Sequence, residues 1–239
     1  MANTPSDSNP SQFKRKRSSI VLLGIIIAGL VLAGAITMLL QRGGPEVTPD
    51  PPNANADHSG IVVNPEATTQ HSLVIYLDYQ CPWCARFDIA FRDIINQAAD
   101  DGVVKVEYRA MTFLDSMLGN DSSVRGAVAA ACADEVGVYR EVHEEILNRQ
   151  PAQEGDGFTD DQLREIIPSA VGLSGGDLTA YQRCFDTQAT IGFVQGTNTK
   201  AGQAGINSTP TYLLDGVQIN NQIDYQNPAT LQALFDTLG

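Results

Sequence analysis

At 239 residues, with 43% hydrophobic and 18% charged positions, the chain holds one ordinary globular domain plus an appendage, and the composition excludes a disordered tail. Five of its 15 Lys and Arg lie at positions 14–17 and 42, so ten bases face 27 acids beyond residue 42, a formal charge of −17 that excludes nucleic acid as a partner.

The first predicted element is a membrane anchor. Lys14, Arg15, Lys16 and Arg17 precede an uncharged run over residues 20–40, "IVLLGIIIAGLVLAGAITMLL". Its 21 residues, at about 1.5 Å of rise each, span about 30 Å, the hydrocarbon thickness of a bilayer. A cleavable signal peptide would share the basic start, but its apolar region runs about 7 to 15 residues. The positive-inside rule places residues 1–19 in the cytoplasm and the rest of the chain, after the span, outside. Residues 41–70 contain five prolines and few large apolar side chains, and read as a flexible tether. The folded domain is expected over 71–239.

Within it, residues 72–79, "SLVIYLDY", form an apolar, β-branched strand. Residues 82–98 carry apolar side chains at helical spacing, with Pro82 suited to the first turn. Residues 103–109, "VVKVEYR", form a second strand, and strand, helix, strand at this spacing implies a right-handed parallel crossover. Helical patterns follow at 122–136, 139–148, 159–167, 176–185 and 191–204, separated by Gly, Asp or Pro. Strands at 211–214 and 217–220 flank Asp215-Gly216, a strong hairpin signal. A last helix spans 227–238, with Asn227 as cap and Pro228 in first position.

The chemistry concentrates at "LDYQCPWCARF", where Cys81 and Cys84 sit at the junction of the first strand and helix. A cysteine at a helix N-terminus has its thiolate favoured by the dipole and by free N–H groups. Pro82 has no N–H, so the expected donors to the Cys81 sulfur are the amides of Trp83 and Cys84. Zinc is the rival for any CxxC, but Cys132 and Cys184 form no second CxxC and His58, His71 and His143 are scattered, so no metal is expected.

The order β, α, β, helical block, β-hairpin, α, with a CxxC opening the first helix and Pro210 before the third strand, resembles the thioredoxin superfamily. The residues that carry the resemblance are "YLDYQCPWC", "AAACADEVG" and "GINSTPTYLLDG". The helical block over about 115–205 resembles the DsbA-like branch, disulfide oxidoreductases of the periplasm or cell surface. The expected fold is therefore α/β, thioredoxin-like with an inserted helical domain, plus the N-terminal transmembrane helix.

The resemblance implies catalysis by Cys81 as nucleophile and Cys84 as resolving cysteine, with no cofactor. It implies a cis Thr209–Pro210 bond beside the CxxC, where the Thr209 backbone would pair with an extended client. It implies a structural disulfide between Cys132 and Cys184, as in similar Gram-positive members, with two buried free thiols as the alternative. Two readings of Asp78 stay open: a buried acid that carries protons for Cys84, or a solvated strand-end carboxylate. Trp83 departs from the pattern, since strongly oxidising relatives often carry His after the Pro; it reads equally as tuning the pair or as an exposed aromatic that holds client.

The leading functional reading is a membrane-tethered, monomeric thiol oxidase that introduces disulfides into unfolded secreted proteins. The resemblance implies that a quinone-linked membrane enzyme, of the DsbB or vitamin K epoxide reductase type, reoxidises it. A tethered reductase or isomerase uses the same two sulfurs in the opposite sense, and a non-catalytic client-binding module would need neither.

Overall fold

The structure is a computed structural model and describes residues 49–238. The expected cytoplasmic segment and the membrane anchor at 20–40 lie outside the described residues. Among the described residues, no helix is long and apolar enough to cross a membrane.

The elements, in chain order, are β1 (Ile61–Val62), β2 (Ser72–Leu77), α1 (Pro82–Asp100), β3 (Lys105–Ala110), α2 (Phe113–Leu118), α3 (Ser122–Asp134) and α4 (Tyr139–Asn148). A π turn at Gln162–Ile166 leads into α5 (Ile167–Ala170), followed by α6 (Gly175–Asp186), α7 (Ile191–Gln203), β4 (Thr211–Leu214), β5 (Val217–Gln218) and α8 (Ala229–Phe235). The strands form one sheet in the order β1-β3-β2-β4-β5. β2 runs parallel to β3, with Ser72 opposite Lys105 and Leu77 opposite Ala110, and antiparallel to β4. The predicted parallel crossover is therefore present, and α1 is its helix.

α1 forms because its apolar positions recur at helical spacing. Cys84, Ala85, Asp88, Phe91, Ile95, Ala98 and Ala99 make the buried face. Phe91 and Ile95 are almost fully buried, and each stabilises by roughly 2 kcal/mol. The helix stops where Gly102 takes φ 69°, and the Val103 N–H closes the end on Ala98 O at 2.9 Å. The hairpin between β4 and β5 turns through Asp215 (φ 50°) and Gly216 (φ 78°), the two positive φ values a type I′ turn requires. The Asp215 carboxylate accepts the Ser72 N–H at 2.8 Å, which ties that turn to the start of β2.

Three expectations need correction. Part of the stretch 41–70 read as a tether belongs to the domain: Ile61 and Val62 pair antiparallel with Tyr108 and Glu107 at the sheet edge. A two-residue strand in a proline-rich segment carries no periodicity to find. The last helix begins at Ala229, with Pro228 rather than Asn227 at its cap position. The second hairpin strand ends at Gln218 because the Asn220 side chain turns inward. The inserted helical block is present, preceded by a short helix, α2, that the sequence did not signal.

Candidate active site

The site forms where β2 ends and α1 begins. Cys81 is the N-cap of α1, in extended conformation at φ −75° and ψ 115°, and Pro82 occupies the first turn. Cys81 and Cys84 are free thiols. The two sulfurs differ in surroundings: Cys81 is 6% exposed and meets the Thr209 carbonyl oxygen at 3.4 Å, whereas Cys84 is 2% exposed and accepts the Asp78 N–H at 3.4 Å.

That difference separates their acidities. The Cys81 thiol is lowered from an ordinary 9.0 to about 6, first by the hydrogen bond from the Cys84 thiol. Burial opposes this, and the Thr209 side chain and the amides of Cys84 and Trp83 add to it. The two amides expected from the sequence are thus in place, near enough to favour the thiolate although neither makes a full cap bond. The Thr209 hydroxyl is buried without a well-formed hydrogen bond, yet lies close enough to both sulfurs to favour their thiolates. Cys84 is pushed well above its ordinary value, first by burial and then by the Cys81 sulfur.

The Thr209–Pro210 bond is cis. Its loop is held by Asn220, whose Oδ1 accepts the Tyr212 N–H at 2.8 Å and whose Nδ2 donates to Pro210 O at 2.8 Å. Gln150 fixes the facing loop, donating through Nε2 to Tyr79 O at 2.7 Å and to Cys81 O at 3.1 Å. Neither residue was found from the sequence, because each acts on a loop about ten or more positions away.

Asp78 is fully buried, which removes the solvated reading. Burial raises its carboxyl from 3.8 to about 7, against hydrogen bonds that lower it. Oδ1 accepts the Ser123 hydroxyl at 2.6 Å and the Gln80 N–H at 2.9 Å; Oδ2 accepts the Leu114 N–H at 3.3 Å. Ser123 belongs to α3, whose N-terminal amides of Ser123 and Val124 donate to the Asp115 carboxylate on α2 at 2.7 and 2.9 Å. The short α2 therefore carries the acid that caps α3. α3 also lies close against the strand end: a Cβ on Gly126 would fall 2.9 Å from Tyr79 Cβ. A larger residue at 126 would push α3 off the CxxC loop.

Trp83 is 48% exposed, edge-on to Tyr225 at 5.7 Å, with the Arg86 guanidinium 4.6 Å from its ring centre. Away from this centre, Cys132 on α3 and Cys184 on α6 form a disulfide, with their Cα atoms 5.7 Å apart. Among the described residues, no three His, Cys, Asp or Glu side chains gather so as to hold a metal ion.

A family model described as Thioredoxin matches residues 61–236. No match is found among curated protein sequences. Among solved structures, the chain is similar to reduced DsbA from Mycobacterium tuberculosis, at 23% identity and a TM-score of 0.60 over 75% of this chain and 92% of that one. It is similar to MdbA, a thiol-disulfide oxidoreductase from Actinomyces oris, at 17% identity and a TM-score of 0.66 over 78% and 92% of the two chains. It is also similar to oxidised BdbD from Bacillus subtilis, at 17% identity and a TM-score of 0.56 over 82% and 96%. At these identities the likeness establishes the fold.

Proposed function

The chain belongs to the thioredoxin family, and on that premise we propose that it is a protein-disulfide oxidoreductase that introduces disulfides into secreted proteins by exchange at Cys81 and Cys84. The observation that carries this reading is the split between the two sulfurs: one held as a thiolate-forming nucleophile at a helix N-terminus beside a cis-proline loop, the other buried behind it.

The exchange follows from that split. A client thiolate bonds to Cys81 Sγ, the bond from Cys81 to Cys84 breaks, and its electron pair goes to Cys84. A second client thiolate then attacks the client sulfur of the mixed disulfide, and Cys81 leaves as the thiolate its surroundings favour. Thr209 offers the extended client a backbone to pair with, and Trp83 with Tyr225 supplies an aromatic rest for its side chains. Asp78 meets Cys84 through its backbone N–H, which lowers the cost of a thiolate there against burial.

The low value at Cys81 favours the dithiol, the direction of an oxidant. Because the folded value lies below the ordinary one, this stabilisation is complete above pH 9 and is lost as pH falls through about 6. At pH 7 it amounts to about 1.4 kcal/mol, equivalent to about 30 mV. Trp83, exposed beside the pair, brings no positive charge to it, and that absence favours the second reading, a tethered reductase or isomerase.

The acidic domain and the basic-flanked apolar run at 20–40 support a single-pass anchor, with residues 1–19 cytoplasmic and a monomeric catalytic domain outside. There it would meet unfolded secreted chains and a quinone-linked membrane enzyme of the DsbB or vitamin K epoxide reductase type that returns the dithiol to the disulfide. Equilibration of the full chain with glutathione buffers tests the direction. A potential near about −120 mV marks an oxidant, and one near about −270 mV a reductant that would replace the oxidase reading.

A further inference from the structure

Each exchange must put a proton on Cys84 or take one off, because a thiol raised so far by burial does not remain a thiolate. Asp78 touches Cys84 through its backbone N–H, while its carboxylate oxygens are occupied by Ser123, Gln80 and Leu114. A different polar group stands behind Cys84. A cavity of about 10 Å³ is lined by Cys84, Asp88, His143 and Pro210 within otherwise mostly apolar walls, a volume close to that of one water site.

His143, on α4, is 1% exposed. Its Nδ1 is paired with the Tyr79 hydroxyl at 2.9 Å, outside this cavity. Its Nε2 is buried without a hydrogen bond; Asp88 Oδ1 stands 3.5 Å from it, and Asp88 lines the cavity. Asp88 follows Cys84 by one turn of α1, so both project from one face. An unpaired buried nitrogen costs about 1 to 3 kcal/mol, and the residue that carries it lines the cavity together with Asp88 and Cys84.

We propose that a water in this cavity joins Cys84 Sγ to Nε2 of His143, and that His143, oriented by Tyr79 and Asp88, is the proton relay of the resolving cysteine. The inference rests on the exchange reading above. When the client thiolate bonds to Cys81, the electron pair released to Cys84 takes a proton from the water, and the water takes one from Nε2 of the imidazolium. Nδ1 keeps its hydrogen on the Tyr79 oxygen. In the reverse direction the proton runs from Cys84 to Nε2. The other groups around the imidazole are Tyr108, Tyr139 and Tyr212, with Arg92 and Glu144 beyond Asp88. Burial raises all four phenols, Tyr79 included, well above their ordinary value, so they stay neutral.

The test uses the full chain in detergent. Reduction of the Cys81–Cys84 disulfide by glutathione is followed through the fluorescence of Trp83, the chain's single tryptophan, in light and heavy water. His143→Gln is expected to slow the reaction about 100-fold and to abolish the solvent isotope effect, with the Cys81 thiolate absorbance unchanged. A merely structural role would lower the melting temperature and leave the isotope effect in place. A rate within twofold of the parent, or a retained isotope effect, overturns the relay.

If the variant does not fold, nitrogen NMR of the parent decides: the His143 Nε2 shift is expected to differ between dithiol and disulfide forms while His58 and His71 stay constant. An equal His143 shift in both forms overturns the relay. A parent chain that does not react with glutathione at all overturns the exchange reading itself, and the relay with it.

Discussion

Cys81 and Cys84 lie one helical turn apart at the start of α1, remain thiols, and are surrounded by groups that pull their acidities in opposite directions. Cys132 and Cys184 lie 52 positions apart on α3 and α6, both buried, and are joined to each other. Burial alone does not distinguish the pairs, since all four sulfurs are nearly inaccessible. What differs is the backbone around them. The first pair sits at a helix N-terminus whose free amides favour a thiolate; the second sits in the last turns of two helices, where the amides are already used. Redox lability in this chain is a property of position on the helix.

α3 connects the two regions. It carries Cys132 of the closed pair, Ser123 against Asp78, and Gly126 against Tyr79 at the strand end. Ser123 and Cys132 are nine positions apart, about 14 Å along the helix. The disulfide therefore fastens the far end of the helix whose near end holds the redox loop in place.

The sharpest way to break the comparison is to remove one sulfur of the open pair. Cys81→Ser is expected to lower disulfide exchange with a reduced client by more than about 1,000-fold. Cys84→Ser is expected to stop after the first attack when offered an oxidised client, so that a mixed disulfide at Cys81 accumulates and can be captured by mass spectrometry. Exchange surviving either change would remove the assigned roles and favour a client-binding module.

Removing the closed pair, Cys132→Ser with Cys184→Ser, should instead act on stability. The loss is about 4 kcal/mol on the chain-entropy account, or a fall in Tm of about 8 to 16 °C for a domain of this size, with exchange retained to within a few fold in the cold. An unchanged Tm would mean that the second pair fastens nothing.

A smaller effect is expected from Asp78→Asn. Because the folded carboxyl is raised to about 7 from 3.8, its contribution to stability is complete below pH 3.8 and is lost as pH rises through about 7. This removes about 2 to 3 kcal/mol between pH 5 and pH 8, and Asp78→Asn should flatten that slope in urea denaturation. Smallest of all, Trp83→Ala should raise the KM for an aromatic client peptide about two- to fivefold with little change in potential, as expected for loss of an exposed aromatic contact.

Much of the site was legible because its central signals are local. The β-branched run, the CxxC and the proline in the first helical turn occupy one stretch, and Asp215-Gly216 announces its own hairpin. The cis bond at Pro210 was not legible from the residues, since an X-Pro bond is usually trans; only the resemblance pointed to it. Asn220, Gln150, Ser123 and the pairing of Asp88 with His143 were missed for a shared reason. Each is an ordinary polar residue whose role arises when the fold brings it to a loop or helix distant in sequence. β1 and α2 escaped because two and six residues show no period, though α2 supplies the acid that caps α3.

The most direct test of the account is the titration of the dithiol form of the full chain, with the Cys132–Cys184 bond intact, by the ultraviolet absorbance of the thiolate and by mapping of alkylated cysteines. The account predicts a rise equivalent to one thiolate centred near pH 6, with label on Cys81 and none on Cys84. Absence of any thiolate below about pH 8, or label on Cys84, would contradict it.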